Sequence, residues 1–181
     1  MYQLYTLTKN NDILILGLGS GILTDDGLPL KIVADLQKDK LVEGLHFRTA
    51  NTGGLDMLDH FSGFSTVIII DTFTTKKGIP GKVRCFTPGD DEFVETFHLS
   101  SYHDTTFSLT LALGKKLGLH IPEQIWILAI EIIEGLEFST QSSEMIESAY
   151  PDILREVKET IDHVIRHIIV HPVRKIKESK L

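Results

Sequence analysis

The sequence predicts an α/β protein in which helices cover both faces of a central sheet, giving a three-layer α/β/α sandwich. Residues 13–16, 67–70 and 125–130 form three short, wholly apolar runs, which are typical of strands buried on both faces. Amphipathic segments with helical spacing alternate with these runs, as expected for a sheet layered between helices. With 181 residues, the chain is long enough for one domain with a substantial core.

A tight turn joins the first predicted strand, over residues 12–18, to the first predicted helix, over 27–38. Glycine occupies every second position of residues 17–21, which allows the chain to reverse where the strand ends. Thr24 or Asp25 is a suitable N-cap for the helix. A strand, a glycine-rich turn and a helix therefore place acidic residues at the mouth of the sheet.

The middle of the chain predicts three more strands and one short helix. Residues 45–50 form a short strand, and Leu58 and Phe61 lie on one face of a short helix over 55–61. Residues 67–70 form a β-branched apolar run that ends in Asp71, and this run favours a buried central strand. Residues 82–86 follow a Gly- and Pro-rich turn and form a strand nearer an edge.

The C-terminal half predicts two long helices around the last strand. Ser100 or Ser101 caps a helix over 102–117, and Gly118 is a suitable C-cap for it. The last helix runs over 151–170. Along the first of these helices an apolar stripe contains Leu109, Leu113 and Leu117. The buried face of the last helix is predicted to contain Ile153, Val157, Ile161, Val164 and Ile168.

Composition and charge exclude several functional classes. Apolar residues make up 42% of the chain, charged residues 24%, and the net charge is −7, so general nucleic-acid binding is not expected. Cys85 is the only cysteine, which rules out an intrachain disulfide and fits a reducing cytosol. Without a signal peptide or a membrane-spanning run, we expect a cytoplasmic protein that does not bind membranes. One domain is predicted over 1–181, with an N-terminal extension at 1–11 and a basic tail at 171–181.

Three residues that can bind a cation are predicted at the carboxyl edge of the sheet. Asp26 follows the first strand, Asp71 ends the third strand, and His103 lies at the start of a helix. Open α/β sheets bind ligands beyond the carboxyl ends of their strands. Two carboxylates and an imidazole suit nickel or zinc and leave positions open for a substrate. Each residue also has a structural interpretation: a helix-start acid, a turn cap and a surface histidine.

Other patterns indicate weaker candidates. A GxG pattern at 17–19 is typical of dinucleotide folds, but Ile22 stands where the third glycine is required, and nearby acids repel phosphate. Cys85 is a possible nucleophile inside a strand pattern. Glu131 ends a strand and is expected to support the site. Three histidines follow one another at intervals of four residues: His163, His167 and His171. Neighbouring members could bind a metal on a helix, but a solvated helix edge is the favoured interpretation.

The motifs GLGSGILTDDG at 17–27, VIIID at 67–71 and SSYHD at 100–104 together resemble the hydrogenase maturation endopeptidases, which trim the nickel–iron hydrogenase large subunit. The opening motif of that family is a strand, GxGN, a short apolar step and Asp-Asp/Glu. Its metal-binding acid matches Asp26, and its second acid and histidine match Asp71 and His103. The resemblance covers residues 12–147. The chain departs from the family pattern at Ser20, Pro29 and Ile132, where asparagine, glycine and proline are usual.

The resemblance implies both a fold and an activity. The sheet would be mixed, mostly parallel and five-stranded, of the phosphorylase/hydrolase-like type, with order 2-1-3-5-4 and strand four antiparallel. The protein would be a nickel-dependent endopeptidase that removes the C-terminal extension from a hydrogenase large-subunit precursor, its partner, and a monomer is favoured. Asp26, Asp71 and His103 would be the catalytic residues and would bind nickel carried by the substrate, for which cadmium or zinc can substitute.

Two points stay open at this stage. The attacking water could be activated by a ligand carboxylate, or the metal could polarise the scissile carbonyl. The same residues are also compatible with a nickel-binding hydrogenase assembly factor that does not hydrolyse its partner, and, less well, with a nucleotide-binding α/β domain.

Overall fold

A computed structural model describes residues 12–38, 45–51, 57–75, 78–88, 90, 105–133 and 137–170. The predicted N-terminal extension, the basic tail and His103 lie outside these residues. The described elements in chain order are β1 (Ile13–Leu18), a 3-10 turn (Asp25–Gly27), α1 (Leu28–Lys38), β2 (Leu45–Ala50), α2 (Met57–Phe61), β3 (Thr66–Phe73), β4 (Val83–Phe86), α3 (Thr105–Lys116), β5 (Gln124–Glu131) and α4 (Glu144–Val170).

The five strands form one mixed sheet. β1 pairs in parallel with β2 and β3, β3 pairs in parallel with β5, and β4 lies antiparallel to β5. The resulting order is β2-β1-β3-β5-β4, which confirms the predicted order and the predicted reversal of strand four. Because four strands are parallel, their carboxyl ends meet at one edge of the sheet, where Asp26 and Asp71 were expected.

Helices cover both faces of this sheet, which confirms the three-layer sandwich. Ile13 and Ile15 of β1 belong to a core formed with α1 and α4, whereas Leu14 and Leu16 belong to a second core that includes α2 and contacts α3. This alternation follows from the two-residue period of a strand. All four of these side chains are fully buried, so β1 is covered on both faces.

Close packing of α1 on β1 fixes the start of that helix. A Cβ atom at Gly17 would lie 2.9 Å from both the Pro29 carbonyl oxygen and Val33 Cγ2, which is closer than side-chain carbons normally approach. Pro29 occupies the first turn of α1, where proline loses no helical hydrogen bond, and is buried. The absence of a side chain at Gly17 therefore lets the helix rest directly on the strand that leads into the acidic turn.

The last helix begins seven residues earlier than the sequence predicts. It starts at Glu144, and Pro151 lies inside it rather than at its first turn. All five predicted face residues are buried, together with Ile165. Contacts of the added first turn explain the earlier start, because Ile146 is buried there and Ser143, just before the helix, bonds to the buried Asp25.

In α3 the predicted apolar stripe is not the packing face. Leu109 is 64% exposed and Leu117 is 60% exposed, whereas Phe107 and Leu111 pack against the core. Gly118 ends this segment with a φ of 72°, as expected for a glycine C-cap. No helix among the described ranges is both long enough and apolar enough to cross a membrane.

Candidate active site at the carboxyl edge of the sheet

Asp26 lies in the 3-10 turn between β1 and α1, and both of its carboxylate oxygens are oriented by hydrogen bonds. The Ser20 backbone N–H donates to Oδ2 at 2.8 Å, and the Thr72 hydroxyl donates to Oδ1 at 2.8 Å. The turn reaches this position because Gly19 lets the chain pass close to itself: a Cβ atom there would lie 2.0 Å from the Asp26 carbonyl oxygen. Each carboxylate oxygen keeps a lone pair for a ligand.

Asp71 lies near the end of β3, which continues two residues further than predicted, to Phe73. The Thr72 backbone N–H donates to Asp71 Oδ1 at 2.8 Å. Thr72 therefore contacts both acids, since its hydroxyl holds Asp26 and its amide holds Asp71. Sequence reasoning missed Thr72, because a threonine inside a strand carries no signal of a role at the strand's end.

The two carboxylates approach the edge of the sheet from opposite faces. Phe73 belongs to the core that includes α2, and Ile70 belongs to the core that includes α1 and α4. Since side chains alternate along a strand, Asp71 shares the face of Phe73, and Thr72 shares the face of Ile70. The structure thus joins Asp26 to Asp71 through Thr72, over the ends of the central strands.

The charged donors described at this edge are the two carboxylates of Asp26 and Asp71. Carboxylate oxygens are among the ligands that nickel and zinc accept. No group of three or more His, Cys, Asp or Glu side chains able to hold a metal occurs in the described ranges. His103 precedes α3, which covers the same face as Asp71, but its role stays a prediction because it lies outside those ranges.

Asp25 has a structural role that differs from the prediction. The sequence suggested that this residue caps α1, but Asp25 is fully buried. Its oxygens accept hydrogen bonds from the Ser143 backbone N–H at 2.7 Å and from the Ser143 hydroxyl at 3.0 Å. Ser143 immediately precedes α4, and its hydroxyl also accepts a bond from the Ile146 N–H at 3.4 Å. Asp25 therefore ties the acidic turn to the start of α4, a contact 118 residues away in sequence.

Glu131 supports the loop that follows β3. Its side chain is 1% exposed at the end of β5, accepts a hydrogen bond from the Thr75 hydroxyl, and accepts another from the Ile79 backbone N–H at 2.9 Å. A Cβ atom at Gly78 would overlap the Glu131 carboxylate. Glu131 therefore holds the loop after the Asp71 strand, and its support of the site stays a prediction.

A cleft of about 580 Å³ opens beside the turn that contains Asp26, within the range of roughly 300–1,000 Å³ typical of ligand sites. Gly21, Thr24 and Gly27 of the acidic turn line one side, and Thr140 and Glu147 belong to the opposite side. Next to these lining residues, residues 22–24 pair with residues 137–139. This pairing leaves Ile22 58% exposed and Phe138 84% exposed.

A charged cluster anchors the far end of the cleft to α1. Lys31 Nζ lies 2.9 Å from both Glu147 carboxylate oxygens and 4.0 Å from the centre of the Tyr150 ring. Tyr150 donates to Asp35 Oδ2 at 2.7 Å. Burial, followed by this bond to Asp35, raises the pKa of Tyr150 well above its usual value, whereas bonds from Lys38 and Tyr150 lower the pKa of Asp35. These contacts hold α1 against α4 where both border the cleft.

The weaker candidates lie away from this edge. Cys85 is partly buried in β4 and packs against the core. His163 and His167 are exposed on α4, as predicted for a solvated helix edge, whereas His171 lies outside the described residues. The His167 ring makes an edge contact with the Trp126 ring at 5.6 Å. In the turn after β1, the Asp26 carboxylate occupies the backbone N–H of Ser20 that a phosphate would need.

Comparison with known proteins gives consistent matches. A family model described as hydrogenase maturation protease matches residues 30–170. The hydrogenase 2 maturation protease of Escherichia coli strain K12 is 26% identical over 165 residues, which cover 88% of this chain and 98% of that protein. Both matches include Asp71, whereas the range of the family model begins just after Asp26.

Solved structures share the fold. The hydrogenase maturating endopeptidase HybD from E. coli has a TM-score of 0.62 and 24% identity, covering 84% of this chain and 93% of that chain. The NiFe hydrogenase maturation protease HybD from Thermococcus kodakarensis has a TM-score of 0.57 and 22% identity, covering 82% and 97% of the two chains. Since the family model spans residues 30–170 of the 181, this chain belongs to the hydrogenase maturation protease family.

Proposed function

We propose that this protein is a nickel-dependent endopeptidase that removes the C-terminal extension from the precursor of a nickel–iron hydrogenase large subunit in the cytoplasm. Family membership supports a role in hydrogenase processing. The observation that carries the proposal is the pair of carboxylates, Asp26 and Asp71, joined by Thr72 at the carboxyl edge of the sheet beside a cleft.

The nickel belongs to the substrate in this proposal. Two carboxylates are oxygen ligands without a soft thiolate among them, so by themselves they bind nickel weakly. Nickel already held by cysteines of the precursor would bring its own thiolates, and Asp26, Asp71 and His103 would complete the ligand set. This division of ligands makes the loaded precursor, rather than free metal, the species that the site recognises.

Recognition of bound nickel would fix the scissile bond relative to the protein. Asp26 is oriented by Ser20 and Thr72, so its remaining lone pairs have a set direction before the substrate arrives. A bond held in this way loses little further freedom when water attacks it, which is the entropic advantage of positioning. Either a carboxylate of the pair accepts the proton of the water, or the polarised carbonyl is attacked directly.

The decisive experiment compares nickel-loaded and metal-free precursor. We expect purified protease to cut the loaded form and to leave the metal-free form intact, even with protease in excess. The reason is that only the loaded form carries the nickel that the site would bind. A cleavage time course on both forms, followed by the mobility shift of the large subunit, measures this. Equal cutting of the two forms would refute nickel recognition, and binding of loaded precursor without cutting would favour the non-hydrolytic assembly factor.

The cleft beside the turn that contains Asp26 is the proposed path of the precursor segment next to the cut. Replacing Thr140 by tryptophan fills the cleft from an exposed position, so we expect KM to rise about tenfold, roughly 1.4 kcal/mol of lost binding, with little change in kcat. Steady-state kinetics on loaded precursor provide the measurement. Glu159→Trp, on the exposed outer surface of α4, is the matched control and should behave as wild type; an unchanged KM in Thr140→Trp would place the substrate elsewhere.

A further inference from the structure

We infer that Thr72 is a positioning residue that orients the two site carboxylates, and that its hydroxyl is needed for Asp26 to bind a cation. The inference rests on the proposed roles of Asp26 and Asp71. Thr72 is the described residue that contacts both acids: its hydroxyl donates to Asp26 Oδ1 and its backbone N–H donates to Asp71 Oδ1, each at 2.8 Å.

Thr72 is held rigidly by the sheet. It lies in β3 opposite Ile130 of β5, and the pairing continues past it, since the Ile132 N–H donates to the Phe73 carbonyl oxygen at 2.8 Å. A β-branched side chain in a strand has a restricted χ1 angle. Its hydroxyl is therefore a hydrogen-bond donor of fixed position. Asp26, by contrast, lies in a short 3-10 turn outside the paired strands.

The two donors to Asp26 act as a pair. Ser20 holds Oδ2 through a backbone N–H, and Thr72 holds Oδ1, so the plane of the carboxylate is fixed at both oxygens. Without the hydroxyl, only one oxygen is held, and the carboxylate is free to rotate about its last torsion, which is intrinsically soft. The lone pairs would then lose the direction that the substrate's metal requires.

An isosteric substitution isolates the hydroxyl. Thr72→Val keeps the side-chain shape, the strand pairing and the N–H that binds Asp71, and removes only the donor to Asp26. We expect its kcat/KM on nickel-loaded precursor to fall about 10–100-fold, the usual effect of removing a residue that orients a metal ligand. Thr72→Ser restores the hydroxyl and should recover activity to within about threefold. A Thr72→Val enzyme as active as wild type would overturn the inference.

A second measurement separates orientation of Asp26 from general stability. Cadmium binding to the isolated protein is measured by titration calorimetry for wild type, Thr72→Val, Asp26→Asn and the double variant. We expect Thr72→Val to weaken binding about tenfold in the wild-type background and less than about twofold in the Asp26→Asn background, because coupled residues are not additive. Equal losses in both backgrounds would mean that Thr72 does not act through Asp26.

The two measurements also distinguish this inference from the proposed function. If wild-type protein does not cut loaded precursor, the peptidase assignment fails, and the cadmium cycle still decides whether Thr72 orients Asp26. If wild-type protein cuts and Thr72→Val cuts equally well, the peptidase assignment stands and the role of Thr72 is wrong.

Discussion

Replacing Asp26 by asparagine is expected to abolish processing of the precursor while leaving the fold intact. The amide can keep the present orientation, because its oxygen accepts the Ser20 N–H and its NH₂ group donates to the Thr72 hydroxyl. The substitution removes, however, the negative charge and one of the oxygens that would bind the substrate's metal. We expect at least about a 100-fold loss of cleavage rate, measured on nickel-loaded precursor, with a melting temperature within about 2 °C of wild type.

The neighbouring acid provides the matched contrast. Asp25→Ala leaves the Ser143 N–H and hydroxyl without their buried acceptor, which costs about 2–3 kcal/mol and lowers the melting temperature by roughly 4–12 °C for a domain of this size. We therefore expect Asp25→Ala to lower the melting temperature and Asp26→Asn to lower the cleavage rate without lowering the melting temperature. Thermal melting and the cleavage assay together measure this difference. Loss of activity at unchanged stability in both variants would show that the two adjacent acids share one role.

Local patterns predicted the sheet well because its strands carry their own signal. The apolar runs of β1, β3 and β5 need burial on both faces, so only a sheet between helices satisfies them, and the strand order followed from the resemblance. The start of α4 could not be read in the same way. Its first turn is fixed by Ser143 and Asp25, a contact between residues 118 positions apart, and no local pattern reports a contact of that range.

The candidate site shows the same division between local and distant information. Asp26 and Asp71 could be picked out by their positions after strands. Asp25 looks equivalent to Asp26 in the local pattern; the family resemblance selects Asp26, but only the structure shows that Asp25 bonds to Ser143 at the start of α4. One departure from the family pattern also has a local explanation. At position 20 the contact to Asp26 comes from the backbone N–H, so it does not depend on whether the residue is serine or asparagine.

A second departure, Ile132, has its own contact. Where the family usually has proline, the Ile132 N–H donates to the Phe73 carbonyl oxygen at 2.8 Å, a hydrogen bond that proline cannot make. It extends the contact between the ends of β3 and β5 just beyond Asp71 and Thr72. The departure therefore adds a hydrogen bond beside the candidate site rather than removing one.

Gly19 is a position at which a single methyl group should damage the fold, because the chain passes close to itself there. A Cβ atom there would lie 2.0 Å from the Asp26 carbonyl oxygen, and backbone at that distance has to move. The same turn is tied to β2 by a hydrogen bond from the Gly19 N–H to the Ala50 carbonyl oxygen at 3.2 Å, so the strain cannot be released on the other side without breaking that bond. We expect Gly19→Ala to destabilise the protein by about 3 kcal/mol or more.

Thermal melting should detect this as a decrease of roughly 6–12 °C, together with loss of cleavage, because the displaced backbone carries Asp26. Gly21→Ala is the matched control in the same turn: its Cβ would lie 3.7 Å from Leu30 Cδ1, an ordinary contact, so its melting temperature should stay near that of wild type. Similar melting temperatures for the two alanine variants would mean that the acidic turn is not held as closely against Gly19 as the structure indicates. A decrease in melting temperature confined to Gly19→Ala, together with its loss of cleavage, would support the close approach of the chain at this glycine as a requirement for the acidic turn.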